Sequence, residues 1–185
     1  NITGEPSWYL DSDGDSYGDE GQEVRSCAQP TSYEADATDC DDTVNSVYPA
    51  APETCDGLDN DCDSLIDDFD PDVTGLTVWH LDSDGDGFGG TSNAIESCYQ
   101  PSGYVLDATD CDDSAEDINP DGVEICDDID NDCDTFIDDL DPDVTGLTVW
   151  YLDSDGDGFG DESQPAELCD QSEGYVLDAT DCDDT

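Results

Sequence analysis

The amino-acid sequence predicts an elongated, disulfide-rich repeat array made mostly of loops, with short β-strands and single helical turns. Three observations predict it. The chain repeats every 71 residues: Trp8, Trp79 and Trp150 keep that spacing, and "DPDVTGLTVW" occurs identically at Asp70–Trp79 and Asp141–Trp150. "LDSDGDGFG" recurs at Leu81–Gly89 and Leu152–Gly160, after "LDSDGDSYG" at Leu10–Gly18. All ten cysteines fall on the same period. The charge is almost all of one sign, with 54 Asp plus Glu against one Arg, a net charge of −53 and only 34% apolar residues.

Such a composition cannot bury enough apolar surface to offset the entropy of ordering the chain. Each like-charge pair at contact distance costs about 1 kcal/mol even in water. A folded state therefore needs positive charge from outside the chain. Nucleic acid and anionic membrane are excluded as partners, because both require basic surfaces. No stretch is long and apolar enough to span a bilayer or to serve as a signal peptide, so a processed N-terminus is expected.

The period divides the chain into residues 1–72, 73–143 and 144–185, the last being the first half of a third repeat. Fixed periodicity of this kind marks arrays whose units pack on their neighbours. Each first half opens with a strand-like stretch ("LTVWHLD", "LTVWYLD"), in which Val78 and Val149 alternate with the tryptophans. An acidic glycine-rich loop follows, then "DATDCDD". Each second half carries a proline turn ("VYPAAPETCD", "INPDGVEICD") and a second acidic loop. No segment shows a sustained helical repeat.

The second-half loop is readable position by position. With Asp59 as position 1, oxygen donors fall at Asp61, Asp63, Asp67 and Asp70, and the Leu65 carbonyl stands at position 7. The next copy supplies Asp130, Asp132, Asp134, the Phe136 carbonyl, Asp138 and Asp141. This is the spacing of an EF-hand-type calcium loop, which wraps six to eight hard oxygens around one ion at about 2.3–2.6 Å. It departs in having Ser64 or Thr135 where Gly is usual at position 6, and Asp rather than Glu at position 12.

The first-half loops are looser versions. They offer Asp11, Asp13, Asp15, the Tyr17 carbonyl and Asp19; then Asp82, Asp84, Asp86 and the Phe88 carbonyl; then Asp153, Asp155, Asp157, the Phe159 carbonyl and Asp161. Position 12 holds only an amide (Gln22, Asn93, Gln164), so acids of "DATDCDD" are expected to close the shell. Those are Asp39, Asp41 and Asp42; Asp110, Asp112 and Asp113; and Asp181, Asp183 and Asp184, with Asp36, Asp107 and Asp178 beside them. Five loops imply at least five calcium ions, and the extra acids support about ten. Magnesium, which demands rigid octahedral sites with several waters, fits less well.

Four cysteines per repeat allow three connectivities. Because the last half-repeat holds only Cys169 and Cys182, a scheme repeated within the chain pairs those two. The expected bonds are then Cys27–Cys40, Cys98–Cys111, Cys55–Cys62 and Cys126–Cys133, the first bringing "DATDCDD" beside its loop. Disulfides on this scale place the chain in an oxidising, extracellular or cell-surface setting. A four-thiolate zinc site is the weaker alternative, since carboxylates outnumber thiols and no C-x2-C spacing occurs.

"WYLDSDGDSYGD" at Trp8–Asp19, "DATDCDD" at Asp36–Asp42 and "CDGLDNDCDSLIDD" at Cys55–Asp68, with their later copies, resemble the acidic MopE-like metal-binding repeats of bacterial secreted and surface proteins. More distantly they are similar to the Asp-rich calcium repeats of thrombospondin type 3 and dockerin modules. The resemblance implies a secreted, calcium-stabilised, disulfide-linked repeat with a structural or surface role. Copper is also attached to that family, but this chain has no Met, and its one His, His80, stands in the slot of Tyr9 and Tyr151 as a packing residue.

Scattered acids such as Glu34, Glu116 and Glu173 read as solvated surface. The tryptophans, with Tyr33, Tyr104 and Tyr175, read as packing anchors, and Asn1-Ile2-Thr3 is a weak glycosylation signal. An enzyme is not expected: among 54 acids any carboxylate spacing can be found, and no triad, phosphate loop or general base stands out. The expected function is a calcium-binding extracellular structural repeat protein. Its unlike ends suggest head-to-tail self-association into a filament or surface fibre, with Asn1–Leu10 adding as a strand to a neighbouring copy. A rigid calcium-dependent spacer or binding module of a surface adhesin is the first alternative. A calcium store or mineral-nucleating protein is the second.

Overall fold

A computed structural model describes residues 4–182. The Asn1-Ile2-Thr3 sequon and two expected ligands, Asp183 and Asp184, lie outside the described residues, as does the start of the Asn1–Leu10 segment. Among the described residues the chain forms a small disulfide-rich fold of loops, nine short strands and two single 3₁₀ turns.

Two compact units emerge. The first comprises Asn1–Val78 and Glu96–Pro101. Its sheet has the order β2-β1-β3, from β1 (Ser7–Leu10), β2 (Asp19–Arg25) and β3 (Tyr33–Glu34). Trp8 pairs with Val24 and Tyr9 with Glu23, a bulge follows Tyr9, and Leu10 faces Tyr33 on the other side. The acidic loop joins β1 to β2, which explains the glycine ending it. A Cβ on Gly18 would lie 2.7 Å from Tyr9 Cβ, too close for any side chain. Trp8 is half-buried and ties the hairpin by donating its indole N–H to the Ser26 carbonyl at 3.0 Å. The second half of the first repeat has no strand, only the 3₁₀ turn Asp67–Phe69.

The second unit comprises Trp79–Ile95 and Ser102–Thr185, so the division passes through β4 (Thr77–Leu81) and β5 (Ile95–Ser97). Here β4 pairs with β6 (Tyr104–Val105) through His80↔Val105 and Leu81↔Tyr104. After the 3₁₀ turn Asp138–Leu140, a sheet of order β8-β7-β9 is built from β7 (Thr148–Leu152), β8 (Pro165–Leu168) and β9 (Tyr175–Val176). His80 behaves as a packing residue, its Nδ1–H donating to the Gly90 carbonyl at 3.2 Å.

The interior is polar. Among the described residues only Val47 and Ala51 are fully buried apolar side chains. Beside them are buried Asp42, Glu53, Asn60, Asp67, Asp70, Asp110, Asn119, Glu124, Asn131 and Asp141. Burial of unpaired carboxylates is strongly unfavourable, so this interior points to a bound positive charge.

The disulfides correct the expected pairing. They are Cys40–Cys62, Cys111–Cys133, Cys55–Cys98 and Cys126–Cys169, while Cys27 and Cys182 are free and exposed. The expectation assumed that each half-repeat closes on itself. Instead the chain after Cys40 folds back, Tyr48 N–H donating to the Asn60 carbonyl at 2.8 Å, and lays Cys62 against Cys40. The bridge Thr54↔Thr74 aims Cys55 at the following repeat. There Cys98 N–H donates to Asp68 at 2.7 Å, as Cys169 N–H does to Asp139 in the next copy. One disulfide therefore joins the two halves of a repeat, and the other joins a repeat to its successor.

Candidate metal centres

All five acidic loops share one backbone device. Position 4 is left-handed in each: Gly14, Gly85 and Gly156 at φ 80–90°, Cys62 at 64° and Cys133 at 59°. Position 6 is left-handed too: Ser16 at 83°, Gly87 at 100°, Gly158 at 94°, Ser64 at 77° and Thr135 at 80°. The residues that depart from glycine at position 6 thus adopt the glycine-type turn regardless, as the tight wrap of an ion-binding loop requires.

Within the loops, backbone amides take one or both oxygens of the key carboxylates. Tyr17, Leu65, Phe88, Phe136 and Phe159 donate their N–H groups to Asp15, Asp63, Asp86, Asp134 and Asp157 at 2.7–2.9 Å. Gly14, Gly85 and Gly156 donate to Asp11, Asp82 and Asp153, and Ser64 and Thr135 to Asp59 and Asp130. Other carboxylate oxygens at these loops turn inward. Oδ2 of Asp13, Asp15, Asp39, Asp84, Asp86, Asp110, Asp70 and Asp141 is buried with no hydrogen-bond partner. Buried polar atoms are otherwise nearly always paired, so orphaned carboxylate oxygens gathered at loops of this shape mark ligand positions for a cation.

In the first halves the first acid of "DCDD" is brought beside the loop. Asp39 N–H donates to the Gly18 carbonyl at 3.3 Å, and Asp110 and Asp181 repeat this with Gly89 and Gly160 at 3.2 Å. That backbone bridge, not a disulfide, brings the segment beside the loop. One oxygen each of Asp13, Asp39 and Asp42 lies within 4.8 Å of the others, as do those of Asp11, Asp13 and Asp15. Asp42 and Asp113 also grip the loop, accepting from the N–H and hydroxyl of Ser12 and Ser83. Asp41 and Asp112 accept from the hydroxyls of Thr43 and Ser114.

The position-nine acids also hold neighbouring groups. Asp19 holds Gly21 and Gln22, Asp161 holds Ser163 and Gln164, and Asp138 holds the amides of Asp127 and Asp128. Asp67 accepts from Gly57 N–H at 3.0 Å and from the Tyr99 hydroxyl at 2.9 Å.

Two residues escaped the spacing. Glu53 and Glu124, 2% exposed each, are among the most deeply buried side chains. One oxygen each of Glu53, Asp61 and Asp70 lies within 4.8 Å of the others. Their signal was the in-register "ETCD" and "EICD" before each second-half loop.

The electrostatics agree. Burial, countered in part by the Tyr17 amide, pushes Asp15 above the ordinary aspartate range, with Asp13, Asp11 and Asp42 adding to the rise. Burial does the same to Asp39 and Asp110, and to Asp61 and Asp132 in the second-half loops. The chain's single Arg forms only an exposed pair with Glu23, which does nothing for these sites. The donors are carboxylates and carbonyls, the set that suits hard divalent cations rather than copper or zinc.

No curated protein and no solved structure matches the chain. The MopE-type family described as "Putative metal-binding motif" matches residues 39–73 and 110–144, which run from the closing Asp39 or Asp110 through the second-half loop. The two stretches, one for each full repeat, are thus similar to that family's motif.

Proposed function

We propose that the chain is a calcium-binding, extracellular structural repeat protein and not an enzyme. One observation carries the reading. Buried, unpartnered carboxylate oxygens converge at loops whose left-handed positions 4 and 6 follow the EF-hand wrap. Calcium accepts six to eight oxygens at flexible angles, which fits a shell assembled from a loop plus an acid about 20 residues away. Disulfides suit an oxidising compartment. No helix among the described residues is long and apolar enough to cross a membrane.

The covalent repeat-to-repeat bond, Cys55–Cys98, supports a load-bearing role and extends the proposal to head-to-tail self-association into a filament. The same bond favours a second reading, a rigid spacer in a surface adhesin. The test is circular dichroism and negative-stain microscopy of one sample, with calcium and with excess EGTA. Structure that survives chelation unchanged sinks the calcium reading. Monodisperse particles in calcium sink the filament and leave the spacer.

A further inference from the structure

Glu53 and Glu124 sit six residues before position 1 of the second-half loops, outside the EF-hand spacing. Glu53 accepts the Asn60 N–H at 2.8 Å on Oε2 and the Asp67 N–H at 3.0 Å on Oε1. Glu124 accepts those of Asn131 and Asp138, both at 2.8 Å. Each carboxylate oxygen has two lone pairs, so one amide apiece leaves acceptor capacity on both. Beside Glu53 is Asp70, 4% exposed, whose Oδ2 is buried without a partner, and Asp141 repeats this near Glu124. Two oxygens bound to one calcium at about 2.3–2.6 Å stand no more than about 5 Å apart. The 4.8 Å limit that encloses Glu53, Asp61 and Asp70 fits one such shell. The EF-hand loop ends in a Glu that grips with both oxygens, whereas here position 12 is an Asp, one methylene shorter.

We propose that Glu53 and Glu124 are ligands of the second-half calcium sites, each supplying from outside the loop the glutamate that position 12 lacks. This rests on the calcium reading above. The second-half sites then hold five carboxylates (Glu53, Asp59, Asp61, Asp63, Asp70), two of them deeply buried. The first-half sites hold Asp11, Asp13, Asp15 and Asp39, with Asp42 also within 4.8 Å of Asp13 and Asp39. The second-half pair accordingly forms its own class of site, the one whose affinity depends on a glutamate.

The test is calorimetric calcium titration, with terbium luminescence lifetimes in H₂O and D₂O to count metal-bound waters. It compares the unsubstituted chain, the Glu53→Gln/Glu124→Gln variant and an exposed-acid control, Glu162→Gln. The expected result is that the binding of two ions weakens about tenfold or more in the double variant, with bound water gained at those sites and no change in the control. Weakening without a change in bound water would make the glutamates mere backbone supports and overturn the proposal. So would unchanged affinity. If the double variant does not fold, a calcium-loaded crystal structure of the unsubstituted chain decides: a glutamate oxygen within about 2.6 Å of the ion upholds the assignment, and one beyond about 4 Å ends it. Absence of any binding by the unsubstituted chain refutes the calcium reading instead.

Discussion

Asp70→Asn should act in opposite directions with and without calcium. The substitution is nearly isosteric, and Asn keeps the oxygen that accepts the Asp72 N–H at 2.6 Å, so it removes little but charge. Without the ion, Asp70 is 4% exposed and its oxygen lies within 4.8 Å of oxygens on Glu53 and Asp61. At an effective dielectric of about 20, each like-charge pair at that separation repels by roughly 3 kcal/mol. Neutralising Asp70 relieves two such pairs, so the calcium-free protein should gain up to several kcal/mol. With the ion, one of five carboxylates is lost. A tenfold to hundredfold weakening of that site corresponds to about 1.4–2.8 kcal/mol. The assay is urea unfolding followed by circular dichroism, in excess calcium and in EGTA, with sucrose present in both to keep the calcium-free fold measurable. A shift of the same sign in both media would refute the view that Asp70 is a buried charge matched by a cation.

Replacing Cys40 and Cys62 together by Ser opens a bond with a sequence separation of 22. It should cost about 3 kcal/mol in thermal or urea unfolding. Because Cys40 adjoins Asp39 and Cys62 lies between Asp61 and Asp63, calorimetry should show first-half and second-half sites of that repeat weakening together. Thr135→Gly removes a β-branched residue from φ 80°, a conformation costing roughly 1–2 kcal/mol, and adds backbone freedom worth about 0.5–1 kcal/mol to the unfolded chain. A net gain of up to about 1 kcal/mol is expected, and a loss would mean that the threonine side chain has its own partner. For pH, Asp15, Asp39 and Asp110 lie above the ordinary aspartate value of 3.8 in the calcium-free fold, chiefly through burial. Their contribution is present in full below that value and lost as pH rises through the raised ones. Unfolding scans should therefore find the EGTA-treated protein more stable in acid than at neutrality. In calcium the order should reverse, because protons compete with the ion.

The loops were legible because several independent signals ran in phase: Asp at alternate positions, glycines at the left-handed turns, and recurrence every 71 residues. The orphaned oxygens lie on loop positions that spacing names (Asp13, Asp15, Asp70, Asp84, Asp86, Asp141) and on Asp39 and Asp110, which were expected beside the loop through a disulfide that the structure does not form. Spacing could not say which acids also serve the backbone: Asp67 and Asp138, at position nine, hold loop amides as well. Glu53 was hidden for another reason, since on the proposal above it would reach the site through space and not through the loop count. The cysteines failed similarly. Connectivity depends on the Tyr48–Asn60 contact and the Thr54↔Thr74 bridge, neither of which has a local sequence signature. Tyr99, which donates to Asp67 from the next repeat, has Asp170 in its place one period later, so repetition gave no hint of it.

An interior of aspartates changes what can hold this chain together. Ten divalent ions would still leave a net charge of about −33, so their effect cannot be general neutralisation. It must be local, exerted where orphaned oxygens meet, and for that reason evenly screening monovalent salt is a poor substitute. The disulfides complement this. Cys40–Cys62 joins the neighbours of a first-half ligand to those of second-half ligands, and Cys55–Cys98 carries the 3₁₀ turn of one repeat to the hairpin of the next. Cross-links of this kind restrict the unfolded chain without requiring apolar burial, the one resource this composition lacks. With nearest-neighbour links of two kinds and ions within each half, stability should accumulate repeat by repeat rather than from a single core. Such an architecture lengthens by adding units without having to enlarge an interior.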